Sequence, residues 1–378
     1  LELEQESDDL ARQIEALSAI LAAPGQLRQL VADELAEVAA QFGTPRRTVL
    51  LDSDGAEQPG GAAGPRSAAQ AGGGPPLEVA DTPCWALLSA TGLMARTADG
   101  APPSRAGGRV AHDAVRSAAP ATTRGDVAAI TSRGRALRIS CLDLPQLPAQ
   151  AGPPSLAGGA GVAELFALEA DEAVVGLASL LADAPPLALG TAAGVVKRVA
   201  PGEAPGGRDQ WDVIGLKPGD RVVGCGPAPE AAWLAFVSSD AQLLRFEASQ
   251  VRPQGRPAGG MAGIKLAPGA QAVFFGTVLD LEAAVVASLA GSARALPGLD
   301  PGAAKVTRLA LYPPKGRATG GVRCQRLLKG QDGLIAAWIG PEPARAVSAS
   351  GRPLPLPAPD PRRDASGTPL AQPVAGLG

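Results

Sequence analysis

The 378-residue chain holds 48 glycines and 37 prolines but only 3% aromatic residues, so its core must be built from Ala, Val, Leu and Ile around many turns, which favours short strands over long helices. Its formal charge of −3 is uneven, because residues 1–60 contain 12 acids and 4 bases and leave 25 acids and 30 bases to the remainder, a balance compatible with a polyanionic partner without requiring one. Four scattered cysteines with no C-x-x-C pair and a single histidine, His112, exclude a structural zinc or a disulfide framework, and no apolar run approaches a bilayer span.

Residues 1–43 carry a helical period. Leu3, Leu10, Ile14, Leu17 and Leu21 share one face, and Leu27, Leu30, Val31, Leu35, Val38 and Phe42 resume it after Pro24-Gly25, which predicts two amphipathic helices with a break between them. Gly43 and Pro45 are suitable stops. The stretch DSDGAEQPGGAAGPRSAAQAGGGPP, residues 52–76, has almost no large apolar residue and is expected to be a flexible linker. With no basic leader followed by an apolar segment, the chain is expected to be a piece of a longer soluble protein.

Beyond the linker, apolar stretches recur, each broken by a tight Ser/Thr/Gly/Asp turn and followed by a strand with Arg or Lys. They are ALLSATGLMART (86–97), AAITSRGRALRI (128–139), LALGTAAGVVKRV (187–199), LAFVSSDAQLLRF (234–246), VVASLAGSARAL (285–296) and ARAVSASGRPLPL (344–356). The marker residues Gly92, Gly134, Gly194, Asp240, Gly291 and Gly351 recur about every fifty residues, as in four-stranded blades of a propeller-like ring. A sandwich of many hairpins is the simpler alternative.

Between hairpins lie glycine-rich connectors: GRPAGGMAGIKL (255–266), PSRAGGRV (103–110), PKGRATGGVRC (314–324) and the eroded PPSLAGGAGV (153–162). The first joins strand to strand, and Lys265 precedes Leu266 rather than Ser or Thr, so it is no nucleotide-phosphate loop. Such connectors either serve as turns with positive φ or bring backbone and basic side chains to a partner's phosphates.

VRPQGRPAGGMAGIKL, GTAAGVVKRV, WDVIGLKPGDRVVG and PPKGRATGGVRC together resemble the C-terminal domain of the A subunit of bacterial type IIA DNA topoisomerases, the gyrase and topoisomerase IV family. The segment IEALSAILAAPGQLRQLVADELAEVAAQFGTPRRTVLL is similar to the end of that subunit's coiled coil. The resemblance implies a mainly β chain: a coiled-coil end over 1–51, a linker over 52–80, a six-bladed β-pinwheel over 81–356 and a tail over 357–378. It implies a rim that binds and bends double-stranded DNA through Arg105, Arg109, Arg133, Arg135, Lys197, Arg198, Arg252, Arg256, Lys265, Lys315, Arg317 and Arg323.

The implied partners are an ATPase B subunit, together with a second copy of the A chain, in an A2B2 assembly, in the cytoplasm at the nucleoid and with no membrane. No cofactor is expected on this segment, ATP and Mg2+ belonging to the B subunit. The family's DNA-cleaving tyrosine is not matched by Tyr312, so the segment alone is expected to be inactive. Members that wrap DNA strongly carry a box similar to Q-R-R-G-G-K-G, and here Ser104, Arg105, Ala106, Gly107, Gly108, Arg109 and Val110 keep it in part. The departure favours a topoisomerase IV-like role, relaxation and decatenation, over a gyrase-like role with negative supercoiling. A propeller that docks proteins is the reading of another class, and Trp85, Trp211, Trp233 and Trp338 are expected as core anchors, His112 as a loop residue.

Overall fold

Alternating burial, β-branched runs and short polar turns make residues 79–378 a stack of small antiparallel sheets. The computed structural model describes residues 2–42, 79–149, 151–200, 206–292 and 300–378, and the chain divides into two compact units, residues 1–77 and 78–378. In the first unit α1 (Glu2–Ala22) and α2 (Pro24–Phe42) are separated where expected, with proline at the first helical position, where its missing N–H costs nothing. Leu10, Ile14, Leu17, Leu21 and Leu35 on these helices are exposed. The linker expected over 52–80 lies almost wholly outside the described residues.

The second unit is mainly β and six-bladed. From the innermost strand outward, blade 1 is Val115–Thr122, Pro83–Ser89, Leu93–Arg96 and Ala160–Gly161. Blade 2 is Val174–Ser179, Asp126–Thr131, Arg135–Ser140 and Gln210–Asp212. Blade 3 is Val222–Pro227, Leu187–Thr191 and Val195–Val199, against which both Pro253–Gln254 and Met261–Ala262 pair. Blade 4 is Ala272–Val278, Trp233–Ser238, Gln242–Glu247 and Val322–Arg323. Blade 5 is Gly333–Pro341, Ala284–Gly291, Ala303–Arg308 and Thr368–Pro369. Blade 6 is Gly376–Leu377, Ala346–Val347 and Pro353–Leu354.

The order reveals an exchange. In each blade after the first, the chain leaves the second strand of the hairpin, runs back to the preceding blade, adds that blade's outermost strand, and returns as its own innermost strand. The last residues obey the same rule: 368–369 complete blade 5 and 376–377 line blade 6. Residues 357–378 are therefore strands of two blades and not a separate tail, because the unpaired edges there would otherwise expose backbone N–H and C=O groups.

One turn is repeated. Ser89, Thr131, Thr191, Ser238 and Ser348 each accept a backbone bond from the residue four positions on, at 2.9, 3.3, 3.2, 3.1 and 3.2 Å. The residue three positions on has positive φ: Gly92, Gly134, Gly194, Ala241 and Gly351. The marker of the fourth hairpin is thus Ala241 rather than Asp240, whose carboxylate instead accepts from Ser238 Oγ at 2.5 Å. Blade 5 departs from the pattern, since its second strand begins at Ala303 after Gly302, not directly after Gly291.

The scarcity of aromatics has a packing counterpart. A Cβ on Gly190 would lie 2.2 Å from the Phe275 ring and one on Gly224 2.0 Å from the Phe275 carbonyl oxygen, so blade 3 lets the next blade approach its bare backbone. Phe275 then reaches Phe236 at 4.7 Å between ring centroids, within the range of favourable aromatic pairs.

Candidate nucleic-acid interface

The exchanged connectors form the outer edge of the ring, so their charge sets the charge of its rim. The connector over residues 141–173, which completes blade 1, has Asp143, Glu164, Glu169, Asp171 and Glu172 and no Lys or Arg. The connector over 248–271, completing blade 3, has Arg252, Arg256 and Lys265 and no acid. That over 309–332, completing blade 4, has Lys315, Arg317, Arg323, Arg326 and Lys329 against Asp332 alone. These two basic connectors are tied together: Lys265 N donates to Thr319 O at 3.0 Å, Ala318 N to Gly263 O at 2.6 Å, and Arg317 Nη1 to Ala262 O at 2.6 Å. Their basic residues consequently form one arc.

Arg252, Lys265, Lys315 and Arg323 are exposed on this arc, while Arg256 and Arg317 are half-buried. Lys315 Nζ donates to Gly321 O at 2.8 Å, which fixes its stem and leaves donors over for phosphate. Arg208, on the connector of blade 2, was not foreseen; it lines a groove of about 450 Å³ with Arg256, Gln210 and Trp211 and extends the arc. Arg326 and Lys329, both exposed, were missed too. Basic residues within two connectors of a recognised motif are the signal that would have found all three.

Six expected contacts are placed elsewhere. Lys197 is 0% exposed, and its ammonium donates to Val213 O, Arg256 O and Ala258 O at 2.8, 2.7 and 2.8 Å. Arg198, 1% exposed, donates to Ala248 O, Val251 O and Ala228 O at 3.1, 3.0 and 3.0 Å and to Glu230 at 2.9 Å. Both side chains are buried clamps for connector carbonyls and do not reach the rim, since carbonyls taken from water need donors. Arg245 repeats the clamp toward Tyr312 O at 2.5 Å, and Lys305 toward Cys324 O at 2.8 Å. The strand alternation put Lys197 and Arg198 on opposite faces, and both faces proved to be covered.

Arg133 and Arg135 turn to the acidic connector, Arg133 to Glu169 at 2.5 Å and Arg135 to Glu172 at 3.0 and 2.5 Å. Burial works to raise the Glu172 pKa, but hydrogen bonds from Arg135, Thr131 and the Glu169 amide outweigh it and hold the carboxyl at about 2. These two arginines are neutralised locally.

Arg105 and Arg109 belong to the connector over 97–114, whose exchange partner is blade 6, so the partial box closes the ring. Arg109 grips Asp113 at 2.6 and 2.9 Å and donates to Ala346 O at 2.8 Å and Leu354 O at 3.2 Å. Arg105 donates to Pro343 O at 2.8 Å and lies 5.0 Å over the Trp338 ring. Arg345, from the other side of the seam, meets Asp113 at 2.9 Å. His112 is likewise part of the seam and not a plain loop residue: its N–H donates to Gly351 O at 2.8 Å and its Nδ1 pairs with Thr91 Oγ1 at 2.8 Å. Burial works against ionisation of Asp113, yet Arg109 and Arg345 hold its pKa below the usual carboxylate range.

Trp211, Trp233 and Trp338 are each faced by an arginine, Arg138, Arg245 and Arg105, at 5.4, 4.5 and 5.0 Å, so the anchors expected in the core also carry cation–π contacts. Tyr312 is fully buried with its hydroxyl 2.7 Å from Thr307 Oγ1, and burial raises its pKa; it is not placed to act as a nucleophile.

A strand-exchanged, six-bladed ring with basic outer connectors is similar in fold to the C-terminal domains of gyrase A and topoisomerase IV. The family described as DNA gyrase C-terminal domain, beta-propeller, matches residues 232–278 and 302–337, and the chain is similar to gyrase A subunits. The A subunit of DNA gyrase from Mycobacterium leprae is 26% identical over 361 residues, which are 93% of this chain and 26% of that protein. The chain thus spans about a quarter of that relative's length. The crystal structure of the C-terminal domain of DNA topoisomerase IV superposes with a TM-score of 0.58 at 17% identity, covering 80% of this chain and 94% of that one. A DNA gyrase A C-terminal domain gives 0.52 at 17% identity, covering 78% of this chain and 98% of that one. These two likenesses concern the fold. Among the described residues no helix is long and apolar enough to cross a membrane.

Proposed function

We propose that the chain is the duplex-guiding part of the A subunit of an ATP-dependent type II topoisomerase whose main work is relaxation and decatenation, as in topoisomerase IV. The carrying observation is the gathering of exposed bases on the adjoining connectors over 248–271 and 309–332, with an acidic connector on blade 1 and the box arginines drawn into the seam. Phosphate contacts along this arc release counterions and hold a duplex. Smoothly bending a short duplex costs on the order of 1–6 kcal/mol, and an arc over two blades supports a limited bend better than a full turn around the perimeter. The contiguous basic arc also favours DNA over a docked protein.

In the assembled enzyme this segment contributes no cleavage chemistry; an ATPase B subunit carrying ATP and Mg2+ and a second copy of the A chain complete the A2B2 assembly. A second reading, a gyrase that wraps DNA and introduces negative supercoils, draws on the name of the relative described above. A topology assay on the full-length protein with its ATPase partner separates the two. The expected result is ATP-driven decatenation and relaxation in excess of supercoiling; efficient negative supercoiling would overturn the proposal. Replacing Arg252, Lys265 and Arg323 together by Ala is expected to flatten the dependence of log affinity on log salt by about 2.7, from about 0.9 per phosphate contact.

A further inference from the structure

The innermost strands and the connector over 97–114 border a partly open central cavity of about 350 Å³. Its wall is apolar and aromatic at Trp85, Phe274 and Trp338, and it is faced by Arg105, Arg116 and Arg345, with Asp113 as the one carboxylate among the described residues. That carboxylate is already shared by Arg109 and Arg345. Arg105 and Arg116 form no ion pair among the described residues; Arg105 has a carbonyl and a Trp face, and the titratable neighbour of Arg116 is the Cys225 thiol.

The Nε atoms of Arg105 and Arg345 are buried without an acceptor. Guanidinium N–H groups that are out of water and have no acceptor are costly, and so is an unbalanced charge in an apolar cavity. Positive charge in excess, unused donors and a concave, partly open volume occur together here. We infer that the central cavity is a binding site for a phosphate-class oxyanion, held between Arg105 and Arg116 and, on the seam side, Arg345.

The site is independent of the proposed rim contacts with DNA. Burial, reinforced by Arg345, lowers the Arg105 pKa to about 10; Arg116 is exposed on the cavity wall, where desolvation by the surrounding residues lowers its pKa. An oxyanion would accept from guanidinium forks, whose planar geometry suits phosphate. The source is either free phosphate or the phosphate of a mononucleotide, whose base would lie on the Trp85 and Phe274 wall.

The test is the melting temperature of the whole chain in sodium phosphate against sodium chloride of equal ionic strength, with adenosine monophosphate as a third arm. Phosphate at roughly a hundredfold excess over its Kd is expected to raise Tm by about 5 °C beyond chloride. Arg116→Gln is expected to abolish that increment and Arg116→Lys to retain part of it, which separates loss of the site from a folding defect. The rim variant lacking Arg252, Lys265 and Arg323 is expected to keep it in full. A tighter response to the mononucleotide assigns the aromatic wall to a base, and an equal one assigns the site to the free oxyanion. A phosphate increment no larger than that of chloride, one unchanged in Arg116→Gln, one absent in Arg116→Lys, or one lost in the rim variant would overturn the inference.

Discussion

Lys197→Met distinguishes a buried clamp from a DNA contact. The substitution keeps most of the apolar stem and removes an ammonium that donates to three carbonyls, those of Val213, Arg256 and Ala258. Each buried carbonyl left unpaired costs about 1–3 kcal/mol, while the ammonium's own desolvation is relieved. A net loss of about 3–5 kcal/mol follows, close to that for removing one partner of a buried ionic contact. At roughly 2–4 °C per kcal/mol, Tm falls by about 10 °C. Thermal unfolding of the whole chain followed by tryptophan fluorescence measures that loss, and duplex titration at several salt concentrations measures DNA contact. The salt slope is expected to hold, since Arg252, Lys265, Lys315 and Arg323 remain on the rim. An unchanged Tm together with a slope reduced by about 0.9 would show that Lys197 touches phosphate and would refute the clamp.

Three further outcomes are expected. Asp113→Asn leaves Arg109 and Arg345 without their shared carboxylate, at a cost of about 3–5 kcal/mol, and should open the seam, read as faster limited proteolysis within residues 97–114. Glu172 is held at about 2 in the folded state against a usual value of 4.5. A carboxyl with a depressed pKa stabilises the fold above its unfolded value and loses that effect as pH falls, so about 3 kcal/mol disappears between pH 4.5 and 2, and Glu172→Gln should flatten that limb of the acid-unfolding curve. Arg198→Met should lower Tm more than Lys265→Ala, while Lys265→Ala should weaken duplex binding more; equal effects of the two on both readouts would erase the distinction between clamp and rim.

Hairpins are local, and they were legible for that reason. A Ser or Thr followed three residues later by a residue with positive φ marks five of the six blades, and blade 5, whose second strand begins at Ala303 after Gly302, breaks the pattern. The seam was not legible, because Arg109 meets Ala346 and Leu354 across more than two hundred residues of chain, and no local pattern announces such a meeting. Nor could composition divide the basic residues. Lys197 and Lys265 both follow a glycine-rich turn by a few residues, yet the first is covered by the next blade's connector and the second rides on that connector's outer side. Burial of a cation by a segment sixty residues downstream is a tertiary fact, and the frequency of Arg and Lys on second strands carried two meanings that the sequence superimposed.

The exchange of outer strands also imposes a sequence of completion on a chain that emerges from its N-terminus. Blade 1 has its hairpin by residue 96 and its inner strand by 122 but receives its outer strand only at 160–161, after the hairpin of blade 2 has formed. Each of the first five blades is thus finished by its successor, and the first connector, with Arg105 and Arg109, waits for residues 343–354 before it has anything to hold. A truncation that deletes one blade therefore unfinishes two, its own and the one before it, and a stop before residue 368 leaves blade 5 with a bare edge. Maturation of such a ring is a relay, with the last handover made back to the first runner.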